Sequence, residues 1–498
     1  MISSVRAFLD RLTNGSGFIK AVSTLLSGTL VALIISYLAQ PVLARLYTPE
    51  AFGLLDALVA IIALLVPFAT LRYEDALMLP ENEEEALGIL GLTFLLVLIV
   101  SGSCLLLLLF KDSLIALLPA AAQESTLLPH LLWIPPALAA IRFAKLTELW
   151  LNRKKAYAAI SSGQVAQTGV MTAVRIVMAQ FTNRMLPIGL ISGYIAGYVA
   201  STIWYLRQIT QLQKQFFRGI GNGTYIRFAA RRYRRFPIYA MPSTLLNTLQ
   251  SRLPVLLLLV FFGEAIVGYY GRAFALFAVP LSLIGYAISQ VFFVEGADAI
   301  RTKTLPQLTT KVHSRLITVG LFPTLALMLT GPEVVRLFLG APWETAGVYL
   351  RWLAPWFFLA SIASPLTRIF DLLEKQRIEF VTSTTIFVLQ ISLFLYGCFT
   401  GDITQAIFYL ALGGVLARII HIVVMLRLAG TPARAAFTAY LKQLSIASPF
   451  LLVLYAVSLL DRPLITVAAL VLTGLGFLGV VYRTLTSEAA TGTQSRSQ

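Results

Sequence analysis

Continuous apolar runs recur from one end of the chain to the other, separated by short polar stretches. They lie at 18–44, 51–72, 86–110, 128–150, 156–180, 186–206, 238–262, 265–293, 312–330, 345–370, 378–400, 404–427, 437–459 and 463–482. A bilayer core takes about 20 apolar residues per helix, so the pattern predicts about fourteen membrane-spanning helices. A transmembrane barrel would alternate apolar and polar positions in shorter segments, and these runs do not alternate. Helices satisfy their own backbone groups in lipid. The fold class that follows is an all-α integral membrane protein.

Composition agrees. Of 498 residues, 58% are hydrophobic and only 12% charged, against about 25% charged in soluble domains; mean hydropathy is +0.80. Such a chain cannot cover its surface with polar groups and must sit in lipid. The net charge of +16, from 39 basic and 23 acidic residues, would suggest nucleic acid in a soluble protein. Here it reads as the excess of Lys and Arg on cytoplasmic loops, and no nucleic-acid partner is expected. With the N-terminus inside, only Arg45, Lys111, Arg184, Arg336 and Arg462 fall on outer loops. Both ends are therefore expected in the cytoplasm, as 1–17 and 483–498. Arg6 and Arg11 precede the first apolar run and Lys20 lies at its start; the run is longer than a signal-peptide core of about 7–15 residues and reads as a retained helix. Cys104, Cys398, His130, His313 and His421 show no metal-ligand spacing, so neither a metal nor another cofactor is expected.

The longest outer loop is 111–127. The largest loop, 207–237, is assigned to the cytoplasm and contains "FFRGIGNGTYIRFAARRYRRFP". Its arginines alternate with aromatics, as in a helix lying in the lipid interface or a docking surface for anionic membrane lipids or an enzyme partner. The acidic run "PENEEEA" (80–86) reads as a solvated stretch.

The chain also repeats itself. "YTPEAFGLLDAL" (47–58) and "FGEAIVGYYGRAF" (262–274) align Gly53 with Gly268, an offset of 215; "LNRKKAY" (151–157) and "LEKQRIEF" (373–380) align at 222. Two landmarks at nearly one offset imply two pseudo-symmetric six-helix lobes of like orientation, 18–206 and 238–427, followed by two C-terminal helices in 437–482. Parallel repeats of this kind are a transporter pattern, with the substrate path between them.

Setting aside those at the cytoplasmic ends of helices, seven cations fall inside predicted spans: Arg142, Lys145, Arg175, Arg252, Arg272, Arg351 and Arg418. A central Arg costs about 2.5–3.5 kcal/mol on insertion scales. Lys145 and Arg418 are expected to snorkel, Lys145 pairing with Glu148. Acids within spans are few: Asp56, with Glu148 and Glu379 near span ends. Each arginine could fix helix packing through an ion pair or a carbonyl, but the acids are too few to pair them all. The economical reading is a water-filled cationic cavity for an anionic, phosphorylated headgroup, which guanidinium groups bind in a fork. Its candidate substrate-binding residues are Arg272, Arg252, Arg142, Arg175 and Arg351, with Tyr269 and Tyr270 available to stack on sugar faces. Asp56 is the candidate gating or ion-pair partner of Arg272.

"TLLSGT" (24–29), "LARLYTPEAFGLLDAL" (43–58), "LRYEDALMLPENEEEA" (71–86), "ELWLNRKKAY" (148–157), "RRFPIYAMPSTLLNTL" (234–249) and the stretch from Leu253 to Phe293 together resemble the bacterial polysaccharide transporter family. This family comprises the O-antigen and oligosaccharide-lipid flippases of the multidrug/oligosaccharidyl-lipid/polysaccharide (MOP) superfamily. The resemblance covers roughly 18–430. It implies a non-enzymatic flippase in the bacterial inner membrane that carries undecaprenyl-diphosphate-linked oligosaccharide to the periplasmic leaflet, beside other polysaccharide-assembly membrane proteins. Related lipid II flippases carry an Arg shortly after a Tyr-Tyr pair in span eight; Arg272 after Tyr269-Tyr270 stands similarly, with one fewer intervening residue. Coupling to a proton or a sodium gradient fits equally. Two rival readings fit less well. A drug/cation antiporter of the same superfamily should carry acids in its first helices, and span one has none. A polysaccharide polymerase or glycosyltransferase needs a sizeable exposed loop with catalytic side chains.

Overall fold

The computed structural model describes residues 17–110, 126–183, 186–213, 216–460 and 462–494. Outside them lie most of the N-terminal segment with Arg6 and Arg11, nearly all of the 111–127 loop with Lys111, Arg184, and the last four residues of the tail. Among the described residues there are fifteen helices of ten residues or more and no strand. Contacts divide the chain into two units, Met1–Gly268 and Tyr269–Gln498.

The first unit holds α1 (Gly17–Leu46), α2 (Pro49–Thr70), α3 (Glu83–Leu109), α4 (Ile134–Arg153), α5 (Tyr157–Met178), α6 (Ile188–Leu212), the short α7 (Gly223–Arg232) and α8 (Met241–Phe262). The helix α9 (Glu264–Arg301) begins there and continues into the second unit. That unit adds α10 (Leu305–Leu339), α11 (Glu344–Leu366), α12 (Gln376–Phe399), α13 (Ile403–Leu428), α14 (Ala433–Ser458) and α15 (Pro463–Gln494). Every predicted apolar run coincides with one of these helices. Ten of them are long and apolar enough to cross a membrane among the described residues. The other four, α4, α5, α6 and α9, are helices of 20, 22, 25 and 38 residues at the expected places. On α4 and α5 polar residues lower the hydropathy, such as Arg142, Lys145 and Glu148 on α4 and Ser161, Ser162, Gln164 and Gln167 on α5.

Local chemistry sets the helix ends. Pro49 opens α2 with Glu50 in its first turn, where a missing N–H costs nothing and a carboxylate meets the positive end of the dipole. Glu83, Glu84 and Glu85 do the same for α3. The Asp402 carboxylate accepts the Thr404 N–H at 2.8 Å and caps α13; Asn222 caps α7 by accepting from Thr224 N–H at 3.1 Å.

Close approach comes from glycine. Gly189, Gly193 and Gly197 repeat every fourth residue along α6, a small-residue stripe that lets membrane helices meet without a bulky side chain between them. A Cβ on Gly193 would strike the Arg175 side chain and the Met171 carbonyl of α5. The first turns of α2 and α9 meet in the same way. A Cβ on Gly53 would strike the Glu264 carbonyl and one on Gly268 the Pro49 carbonyl, while each glycine also abuts the other's backbone nitrogen. These are the two glycines aligned by the internal repeat, and the contact is the same read from either side.

In the second unit, one apolar core joins α10, α11 and α13 through Leu316, Ile317, Ile362, Leu366 and Met425. Another seats α14 and α15 on α10, with Phe322 stacked on Phe477 at 4.5 Å between ring centroids.

Candidate functional site: guanidinium groups within the helices

Arg142 sits in the middle of α4 with its guanidinium Nη2 2.7 Å from Glu74 Oε1; the two side chains are 6% and 3% exposed. Glu74 comes from the loop after α2, not from a span. Leu71 and Arg72 both adopt the left-handed region there, with φ of 49° and 62°, which costs non-glycine residues roughly 1–3 kcal/mol each. The reversal turns Tyr73–Met78 back onto α4. Arg72 pairs with Asp75 at 2.7 Å, whose carboxyl burial pushes upward against the pull of Arg72. Arg153, three turns beyond Arg142 on α4, donates to the Leu77 and Pro80 carbonyls at 2.9 and 2.7 Å. The loop is thus fastened to α4 at two places, and Arg142 has a counter-ion that a tally of acids within spans misses.

The "PENEEEA" run is also engaged rather than merely solvated. Glu83 pairs with Lys154 at 2.7 Å, Glu84 accepts a hydrogen bond from Tyr225 of α7, and Glu85 accepts from Tyr233 at 2.9 Å and pairs with Arg232 at 3.0 Å. Lys145 pairs with Glu148 at 2.8 Å as expected.

Elsewhere in the first unit, the Arg175 stem lies over Gly193 and its Nε donates to the Leu190 carbonyl at 3.2 Å. The Arg175 carbonyl accepts from Tyr47 Oη at 2.7 Å. Arg252, on α8, is half-buried and makes no hydrogen bond or ion pair among the described residues. The Tyr194 hydroxyl of α6 lies within electrostatic reach of both arginines, and its ring meets Tyr198 edge-on at 5.0 Å. Tyr194 therefore feels both Arg175 and Arg252, a neighbour that sequence reasoning missed; the available signal was the four-residue spacing of Tyr194 and Tyr198 on the stripe helix. Asp56 lies half-buried in α2.

In the second unit Arg272 is buried on α9. Tyr269 meets Trp343 and Tyr349 edge-on at 6.1 and 6.2 Å, and the buried Tyr270 leans on Phe274 at 6.3 Å; both rings take part in aromatic packing. Arg351 Nη2 donates to the Leu329 carbonyl at 3.3 Å. Arg418, expected to snorkel, instead lies half-buried with no hydrogen bond or ion pair among the described residues. It stands ten residues before the end of α13, about 15 Å of rise and beyond a side chain's reach to the helix end; that distance was its signal.

The sequence model of the family described as "Polysaccharide biosynthesis protein" matches residues 42–348. The chain belongs to this family. No curated protein matches it. Solved structures share the fold of this polysaccharide biosynthesis protein. One is the lipid II flippase MurJ in an inward closed conformation, at 14% identity and a TM-score of 0.69, covering 93% of this chain and 99% of that one. Another is an outward-facing multidrug resistance MATE family transporter of the MOP superfamily, at 14% identity and a TM-score of 0.52, covering 88% and 98%. A third is a MOP superfamily transporter from Pyrococcus furiosus with a binding pocket of reversed polarity, at 15% identity and a TM-score of 0.51, covering 84% and 97%. At these identities the likeness is one of fold, that of a multi-pass helical membrane protein.

Proposed function

We propose that this protein flips an undecaprenyl-diphosphate-linked oligosaccharide, such as an O-antigen, capsule or exopolysaccharide repeat unit, across the bacterial inner membrane from the cytoplasmic to the periplasmic leaflet. Family membership and the shared flippase fold support the reading. The observation that carries it is that Arg252, Arg351 and Arg418 have no carboxylate within ion-pair distance among the described residues. A permanent cation in a membrane helix without a counter-ion is expensive. The cost is offset if the negative charge arrives with the cargo, and a diphosphate supplies it.

In this reading the guanidinium groups hold the phosphates by charge-assisted hydrogen bonds, Arg272 among them, and the lipid tail stays in the bilayer. The two repeats rock about the cargo and open to one leaflet and then the other, with Asp56 engaging Arg272 when cargo is absent. Both chain ends stand in the cytoplasm. An interior-negative potential favours outward movement of an anion by about 2.3 kcal/mol per charge per 100 mV.

The test is flipping of a diphosphate-linked sugar lipid in proteoliposomes. Arg252→Ala and Arg272→Ala are each expected to lower the rate about tenfold or more, the loss of one charge-assisted contact. Rates equal to wild type for both would sink the reading, and efflux of a cationic dye from the same vesicles would favour an antiporter.

A further inference from the structure

The helix α7 and the turn after it present two unlike faces. The inner face is fastened to α3: Cβ atoms on Gly88 and Gly91 would strike the Tyr225 and Ile220 carbonyls, Tyr225 and Tyr233 bond Glu84 and Glu85, and Tyr73 Oη donates to the Ala230 carbonyl at 3.0 Å. Gly88 lies five residues into α3, which sets the start of α7 roughly 8 Å along that helix from its charged start, with the segment before α7 meeting Gly91. The outer face carries Arg227, Arg231, Arg232, Arg234 and Arg235, all exposed. Only Arg232 is neutralised, by Glu85. The nearby acids are already taken, Glu83 by Lys154 and Glu84 by Tyr225, and Arg227, Arg231, Arg234 and Arg235 have no acidic partner among the described residues. Beside them Phe228, Ile238 and Tyr239 are 48%, 57% and 72% exposed.

We propose that this face is a binding surface for the phosphate headgroups of acidic phospholipids in the leaflet that borders it. Forked guanidinium donors match phosphodiester oxygens, and exposed aromatic and aliphatic side chains beside a basic stripe suit the headgroup–acyl boundary. The acidic run serves to anchor the helix without quenching the stripe, so the stripe stays available to lipid.

The test uses the full chain in nanodiscs of phosphatidylcholine with a fifth of phosphatidylglycerol, reading the association of spin-labelled phosphatidylglycerol relative to phosphatidylcholine. The variant R227Q/R231Q/R234Q/R235Q is expected to lower that ratio about fivefold, and 0.5 M salt to lower it in wild type. A control that removes equal charge elsewhere, K303Q/K311Q/R315Q/R434Q, is expected to change it less than about twofold. Equal ratios for wild type and the stripe variant, or equal losses in both variants, would overturn the proposal. So would a stripe variant that keeps its lipid and loses a co-purifying protein. Should the stripe variant fail to fold, a salt-insensitive ratio in wild type overturns it equally. The readout involves no flipping, so its failure leaves the transport reading standing.

Discussion

Arg142 of α4 and Arg418 of α13 lie at similar depth, eleven and ten residues before the ends of their helices, yet their surroundings are opposite. Arg142 is met by Glu74 from a loop that doubles back under strain; Arg418 is met by no acid among the described residues. The difference teaches that a cation inside a membrane protein is defined by what the connecting loops bring to it, not by the helix that carries it. The first is a rivet that holds a loop to a helix, and the second is a charge left available.

Breaking the rivet should give the largest effect. Glu74→Ala leaves the Arg142 guanidinium buried without its ion-pair partner and is expected to destabilise the protein by about 3–5 kcal/mol, read as a lower unfolding midpoint in detergent; Arg142→Ala should cost less, because Arg72 still stands 3.6 Å from Glu74. The double replacement Arg142→Met with Glu74→Leu should recover most of that loss, because well-packed apolar residues can stand in for a buried pair. Arg418→Met sharpens the contrast: it removes an unpaired cation, so stability should hold or rise by about 1–3 kcal/mol while the flipping rate falls. Loss of stability equal to that of Arg142→Ala would erase the distinction between the two. The smallest effect is expected at the exposed anchor of α7, where Tyr225→Phe should cost about 0.5–1.5 kcal/mol and increase hydrogen exchange only in Gly223–Arg232.

The helices were legible because lipid demands continuous apolar runs, and the break between α4 and α5 or between α11 and α12 falls where the pattern puts it. Helix ends were less so. The run 265–293 ends at the last apolar residues, but α9 continues to Arg301 and spans about 57 Å, since hydropathy marks the depth of lipid and not the end of hydrogen bonding. The site was legible only as a set of residue types. Arg252 and Arg351 could be picked out as costly, but the partner of Arg142 lies 68 positions away, and its approach depends on two left-handed residues that nothing at Leu71 or Arg72 announces. Tyr194 escaped notice because aromatics are common in membrane helices and only the neighbouring Arg175 and Arg252 give it meaning.

The Gly53–Gly268 contact has a consequence for how this chain tolerates change. A methyl group added to either glycine meets the same obstacle, a carbonyl four residues upstream of its counterpart. Gly53→Ala and Gly268→Ala should therefore carry matching penalties, and drift at one position cannot be absorbed by the other. Each glycine can gain a side chain only if the other's helix withdraws, so the two positions constrain one another, and this pair should be among the last places where the sequence drifts.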